Sequence, residues 1–337
     1  MEPSFLQILW FILYGVLIAV YAILDGFDLG VGVLSNFKKN STDRKIMKQA
    51  IGPVWDGNEV WLLTGGGALF AAFPIVYATV FSSFYLAFML LLFALIGRAV
   101  SLEFSGKVDS PVWEKVWDIC FGISSLLPCI LFGVAIGNIL KGIPLNQEGI
   151  YTGTFLGLLN PYSLIMGFLT LSMFITHGAL YMTLKTGGKL AHSMRVWAVY
   201  SWIAWIALYG VATVLSFFIT PHLFEKTSLS SLKYLILIVL LAILILIPIM
   251  IHHKKSGWAF IASSMAIVFQ VVLVGLSLFP RFVISSTNLN YSLLIANSSS
   301  TNRTLATMLV ITLLGLPIVI TYTIWIYTIF KGRVAVK

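Results

Sequence analysis

Ile18 to Val33 reads IAVYAILDGFDLGVGV, and Ile51 to Phe70 reads IGPVWDGNEVWLLTGGGALF. Each is an apolar run interrupted by two acids three positions apart, Asp25 with Asp28 and Asp56 with Glu59. On a helix that spacing puts both carboxylates of a pair on one face. A carboxylate in the middle of a bilayer costs roughly 3 kcal/mol even on insertion scales, so the acidic face is expected to point into protein rather than lipid. Proton or cation handling is therefore the first functional expectation. Helix capping, or pairing with one arginine, is the structural alternative.

The surroundings of these runs settle the class. The chain has 337 residues, 59% of them hydrophobic and 10% charged, with a mean hydropathy of +0.98. A soluble domain of that length needs a far more polar surface. We therefore expect an all-α polytopic membrane protein forming one transmembrane helical domain over residues 1–337. Spanning a bilayer takes about 20 apolar residues. About nine stretches qualify: Phe5–Leu34, Val54–Pro74, Tyr77–Val100, Val116–Leu140, Pro161–Leu184, Val196–Thr220, Leu232–Ile251, Trp258–Pro280 and Thr304–Phe330. The N-terminal run lacks a basic leader and a small-residue cleavage site, so it is expected to stay as a helix. The longest polar loop is expected around Arg281 to Arg303.

The net charge of +9 is topological rather than a sign of nucleic-acid binding. With nine spans, sixteen of the 21 basic residues fall in one set of loops: Lys38 to Lys48, Arg98 to Lys115, Lys185 to Arg195, Lys254 with Lys255, and Lys331 to Lys337. The other five are Lys141, Lys226, Lys233, Arg281 and Arg303. The positive-inside rule then puts the C-terminus in the cytoplasm and the N-terminus outside.

Depth follows from the same frame. Asp25 precedes Lys38 by 13 residues, which places it within about 20 Å of the cytoplasmic loop, and Asp28 is a turn closer. Asp56 and Glu59 lie near that side too, as do Arg98 and Asp118. Four carboxylates cannot all be neutralised by one arginine, so either some hold protons or water reaches them. Both states suit a relay entered from the cytoplasm. If Pro53 opens its helix, Asp56 is a first-turn acid favoured by the helix dipole. Gly26, Gly30 and Gly32, and the triplet Gly65 to Gly67, are expected to let helix backbones approach closely. Cys120 and Cys129 lie nine residues apart on one helix, about 13 Å along its axis, and cannot bridge. Of five histidines only His177 lies within a span. One histidine cannot supply two axial ligands to a low-spin haem, so a hydrogen-bonded core role is expected over haem ligation. The motifs of nucleophilic, zinc and iron–sulfur chemistry are missing, so any redox chemistry is expected on a partner.

LDGFDLGVG at Leu24 to Gly32, IGPVWDGNEVWLLTGGGALFAAFP at Ile51 to Pro74, LIGRAVSLEFSGK around Arg98, VWDICFG around Asp118, FGVAIGNILKG at Phe132 to Gly142 and LLNPYSL at Leu158 to Leu164 together resemble subunit II of cytochrome bd quinol oxidases. The likeness covers essentially the whole chain and is densest before residue 165. It implies a nine-helix subunit in a bacterial cytoplasmic (inner) membrane, paired with a haem-bearing subunit I and often a small single-helix subunit. It also implies that haem b and haem d lie in subunit I, where quinol is oxidised and O2 reduced to water without proton pumping. Subunit II would support that subunit and contribute to a proton path from the cytoplasm. The matching polar positions are Asp25, Asp28, Trp55, Asp56, Arg98 and Asp118, with Asn58 inside the same WDGNE motif. Glu59 stands where some members carry glutamine, and so does His177. The competing readings are a proton-coupled secondary transporter and a pure scaffold whose acids only anchor an interface.

Overall fold

The computed structural model describes residues 2–225 and 227–334; Lys226 and Lys337, counted above among the basic residues, lie outside them. The helices in chain order are α1 (Phe5–Ser35), α2 (Ser41–Ile51), α3 (Trp55–Ala72), α4 (Pro74–Ser83), α5 (Tyr85–Phe104), α6 (Pro111–Lys141), α7 (Phe155–Leu158), α8 (Pro161–Lys185), α9 (Gly188–Ile219), α10 (Ser230–His252), α11 (Ser256–Leu278), α12 (Ile295–Ser298) and α13 (Asn302–Ile329). Among the described residues eight of these, α1, α5, α6, α8, α9, α10, α11 and α13, are long and apolar enough to cross a membrane.

Two of the expected spans come out differently. The stretch from Val54 gives α3, 18 residues that open on Asp56, Asn58 and Glu59 and are not among the eight. The stretch from Tyr77 is divided at Phe84 into α4 and α5. Pro74 opens α4, where its missing N–H leaves no hydrogen bond unmade. The loop expected around Lys38 to Lys48 is also helical. Asn40 caps α2 by accepting from the Thr42 N–H at 3.0 Å, and Met47, Ala50 and Ile51 bury its apolar side. Between Arg281 and Arg303 the chain forms a short antiparallel pair, β1 (Arg281–Val283) with β2 (Leu293–Leu294), followed by α12.

Polar residues cap several of these helices just before their apolar runs. Ser4 and Gln7 form a reciprocal capping box at α1, while Ser110 before Pro111 and Asn160 before Pro161 cap α6 and α8. Hydropathy locates the lipid-facing middle of such a helix and misses its capped ends. This is why α6 starts at Pro111 rather than Val116; α9 also starts early, at Gly188 rather than Val196, without a side-chain cap.

α1 runs through the centre, against α3, α6, α8 and α11. Gly30 and Gly178 make the α1–α8 crossing possible: a Cβ on Gly30 would strike the Phe174 carbonyl, and one on Gly178 would come within 2.6 Å of the Val31 nitrogen. Gly32 leaves room for the Ser125 side chain of α6, which a Cβ there would strike. Beside this crossing Phe27 stacks on Tyr181 with ring centroids 4.0 Å apart. The triplet behaves otherwise. Gly65 has only the Ile18 side chain near it, at 3.5 Å, and Gly66 and Gly67 face open space within this chain. The expectation of close packing holds for the first glycine set and not for the second.

Replacing Gly30 by leucine therefore forces two backbones apart and is expected to destabilise the chain by at least about 3 kcal/mol. Gly66→Ala is expected to change stability by no more than about 1 kcal/mol. Thermal unfolding of the purified chain in detergent, comparing both variants with wild type, checks the contrast.

Candidate functional site: a charged cluster between α1, α3 and α5

The three-residue spacing of Asp25 and Asp28 puts both on the side of α1 that faces α3 and α5, where both are fully buried. Arg98 of α5 meets them there, also with no exposed surface. Its Nη2 lies 2.7 Å from Asp25 Oδ1 and 3.0 Å from Glu59 Oε2. Asp25 Oδ2 accepts from the Tyr21 hydroxyl at 2.8 Å, one turn back along α1. Asp28 Oδ2 accepts from Asn58 Nδ2 at 2.8 Å, and that amide nitrogen also donates to the Leu24 carbonyl at 3.2 Å. Asn58 Oδ1 in turn accepts from the Tyr327 hydroxyl at 3.0 Å. One guanidinium thus faces three carboxyl groups. Among the described residues no second cation comes within ion-pair distance of them.

The cluster is incompletely satisfied. Asp28 Oδ1 and the Arg98 Nε and Nη1 are buried with no hydrogen-bond partner in the chain. Glu59 differs from the two aspartates in keeping 21% of its side chain exposed. It forms the outer edge of the group.

Not every candidate joins it. Asp56, in the first turn of α3, is exposed and makes no ion pair among the described residues, and Trp55 beside it is half-buried. Pro53 precedes the helix instead of opening it. Asp118 is buried near the start of α6, away from Arg98, and pairs with both Arg44 and Lys48 of α2. Glu114, one turn earlier, meets Lys45 at 3.2 Å. So α2 is clamped to α6 by charge, and the shortage of cations applies to the cluster around Arg98 only. His177 is buried in α8 and stacks on Phe260 with centroids 4.5 Å apart. Its Nε2 lies 3.1 Å from the Ile23 carbonyl and its Nδ1 2.7 Å from Ser263 Oγ. A carbonyl only accepts, so Nε2 carries a proton, and Nδ1 is engaged by the serine hydroxyl. Neither nitrogen is free for a haem iron. His177 is the one buried histidine among the described residues.

Two participants have no place among the sequence candidates. Tyr21 stands four residues before Asp25, a spacing that on a helix brings side chains together and could have marked it. Tyr327 lies 269 positions from Asn58, and nothing local signals that contact.

Among the described residues, eight membrane-length helices and a buried arginine–carboxylate group between α1, α3 and α5 define a multi-pass helical membrane protein with ionisable residues held in its interior. Comparison with known proteins narrows this. The model of the family described as cytochrome bd terminal oxidase subunit II matches residues 6–330. The chain is 37% identical over 331 residues to the cytochrome bd ubiquinol oxidase subunit 2 of Bacillus subtilis, covering 98% of this chain and 97% of that protein. It is 34% identical over 360 residues to the cytochrome bd-I ubiquinol oxidase subunit 2 of Escherichia coli, covering 98% and 95%. Its fold is similar to a chain of the bd oxidase from Geobacillus thermodenitrificans, with a TM-score of 0.80 and 16% identity over 97% of this chain and 99% of that one. The chain belongs to the cytochrome bd terminal oxidase subunit II family. It is a subunit of a bd-type quinol oxidase, a quinol:O2 oxidoreductase of the respiratory chain.

Asp118→Asn removes the common partner of Arg44 and Lys48 and leaves two cations facing each other. Amide exchange along α2 is expected to accelerate about tenfold or more, corresponding to roughly 1.5 kcal/mol. Exchange in α8 should be unchanged, which hydrogen–deuterium exchange with peptide resolution checks.

Proposed function

We propose that Asp25, Asp28 and Glu59, gathered around Arg98, hold protons on their way from the cytoplasm to the oxygen-reducing centre of the complex. The observation that supports this most directly is the excess of acid. With one guanidinium against two buried carboxyl groups and a third at the edge, the group carries surplus negative charge unless protons reside on it. It can therefore gain and lose protons without rearranging the fold. Arg98 supplies a fixed positive charge that keeps one carboxylate ionised as a resting partner. Glu59, partly exposed at the edge, is the group through which protons arrive, and exposed Asp56 is the collector in the turn before it.

The wider assignment rests on the family. Haem b and haem d would be carried by a subunit I partner, together with quinol oxidation, and a small single-helix subunit would complete the assembly. α3 would be the ninth crossing, since 18 residues span about 27 Å, close to the hydrocarbon thickness. The basic loops support a cytoplasmic C-terminus and an outer N-terminus, and the family supports a bacterial cytoplasmic membrane. The whole chain would act as one transmembrane unit, and Asp118 with α2 would be a structural clamp.

Asp25→Asn and Asp28→Asn test the reading in the assembled oxidase. Quinol-driven oxygen uptake is expected to fall at least about tenfold while haem content and subunit I recovery persist. Full turnover in both variants would sink the proton role. Loss of haem or of the partner would mark the acids as scaffold.

A further inference from the structure

α13 is the least buried of the membrane-length helices, with 6% of its apolar window covered, and its second half, from Pro317 on, carries no charged residue. Even so, one of its side chains reaches the acid cluster. The Tyr327 hydroxyl donates to Asn58 Oδ1, and the Asn58 amide nitrogen donates to Asp28 Oδ2 and to the Leu24 carbonyl. These partners dictate the orientation of the amide. A carboxylate and a carbonyl only accept, so the NH2 must face them, and the amide oxygen is left for the one group able to donate. The end of α13 is held at this level from outside. Lys185 Nζ donates to the Phe330 carbonyl at 2.6 Å, and the Val334 N–H donates to the Lys185 carbonyl at 2.9 Å.

We propose that Tyr327 is a positioning residue for Asp28. By occupying Asn58 Oδ1, its hydroxyl keeps the amide N–H groups directed at Asp28 Oδ2. Asp28 Oδ1, buried and without a partner, is then the oxygen at which a proton arrives and leaves. The chain from Tyr327 through Asn58 to Asp28 orients and does not conduct, because an amide can pass a proton on only by becoming an imidic acid. This inference rests on the reading of Asp28 as a proton-holding group. It gives α13 a part in that group, and it makes the Lys185–Phe330 contact a determinant of how Asp28 is presented.

The titratable groups facing Asp28 are Asp25 on its own helix, Glu59 on α3, Arg98 on α5, Tyr181 on α8 and Tyr327 on α13. The Tyr181 hydroxyl is committed to the Ala50 carbonyl at 2.9 Å and cannot take the place of Tyr327. Tyr327→Phe therefore removes one hydroxyl and leaves every charge in place.

The test uses the assembled oxidase. In Tyr327→Phe, haem content and subunit recovery should match wild type. The pH profile of quinol-driven oxygen uptake should move to higher pH by about one unit, because the carboxylate loses a well-directed donor. The infrared C=O band that Asp28→Asn abolishes should also be displaced. An unmoved profile and band at full haem content overturn the proposal. So does loss of haem or partner, which would mark the hydroxyl as a packing element. Asn58→Ala provides a second reading of both signals, and a wild-type profile and band there overturn the proposal as well. If Asp28→Asn itself retains wild-type turnover and profile, the proton role of Asp28 on which this inference rests fails. A clear Asp28→Asn defect beside a silent Tyr327→Phe removes the assignment of Tyr327 alone.

Discussion

A guanidinium with no exposed surface has to be compensated by the protein around it, and at Arg98 that requirement organises three helices at once. Burying an unpaired charge costs several kcal/mol even after relaxation, whereas a pair with good geometry recovers most of the cost. Arg98 on α5 finds Asp25 on α1 at 2.7 Å and Glu59 on α3 at 3.0 Å, so α1, α3 and α5 must meet at one level. The relative height of those helices is set by this contact. The carboxyl groups around the arginine outnumber it, with Asp28 buried beside the two that pair with it.

The close approach of α1 to its other neighbours serves the same end. Gly30 and Gly178 let α1 and α8 touch backbone to backbone, and Gly32 makes room for the Ser125 side chain of α6. A helix held this tightly on its far side presents Asp25 and Asp28 to α3 and α5 with little freedom. At the next level the charge clamp of α2 on Asp118 fastens the connection between α1 and α3. Gly66 and Gly67 show the contrasting case. Their faces of α3 are open within this chain, beside exposed Val60, Leu63 and Phe70, and belong to whatever α3 meets outside it.

The candidate site was partly legible beforehand because a charge in an apolar run is costly and therefore conspicuous. Asp25, Asp28, Glu59 and Arg98 could be singled out on that ground, and the structure gathers all four. Asp56 carries the same local signal, yet the first turn of α3 leaves it exposed. The partners of Asp118 were hidden because Arg44 and Lys48 sit in a basic segment that reads as a loop, and only its caps and buried side reveal a helix. Uncharged contributors were harder still. Asn58 and Tyr327 blend into their surroundings, and nothing in a tyrosine near the end of an apolar helix indicates which amide it will meet.

Composition and the period of apolar runs were enough to determine an all-helical membrane protein, the approximate limits of its long helices and the short list of acids with a costly position. These properties depend on transfer free energies and local spacing, which each residue carries with it. Which acid shares Arg98, which glycines bring backbones together, where α4 breaks from α5 and how Tyr327 reaches Asn58 were decided only when the helices packed. Such contacts depend on rotation and height of one helix against another. They arise from the sum of many weak side-chain fits over the whole bundle, and no single segment records that sum.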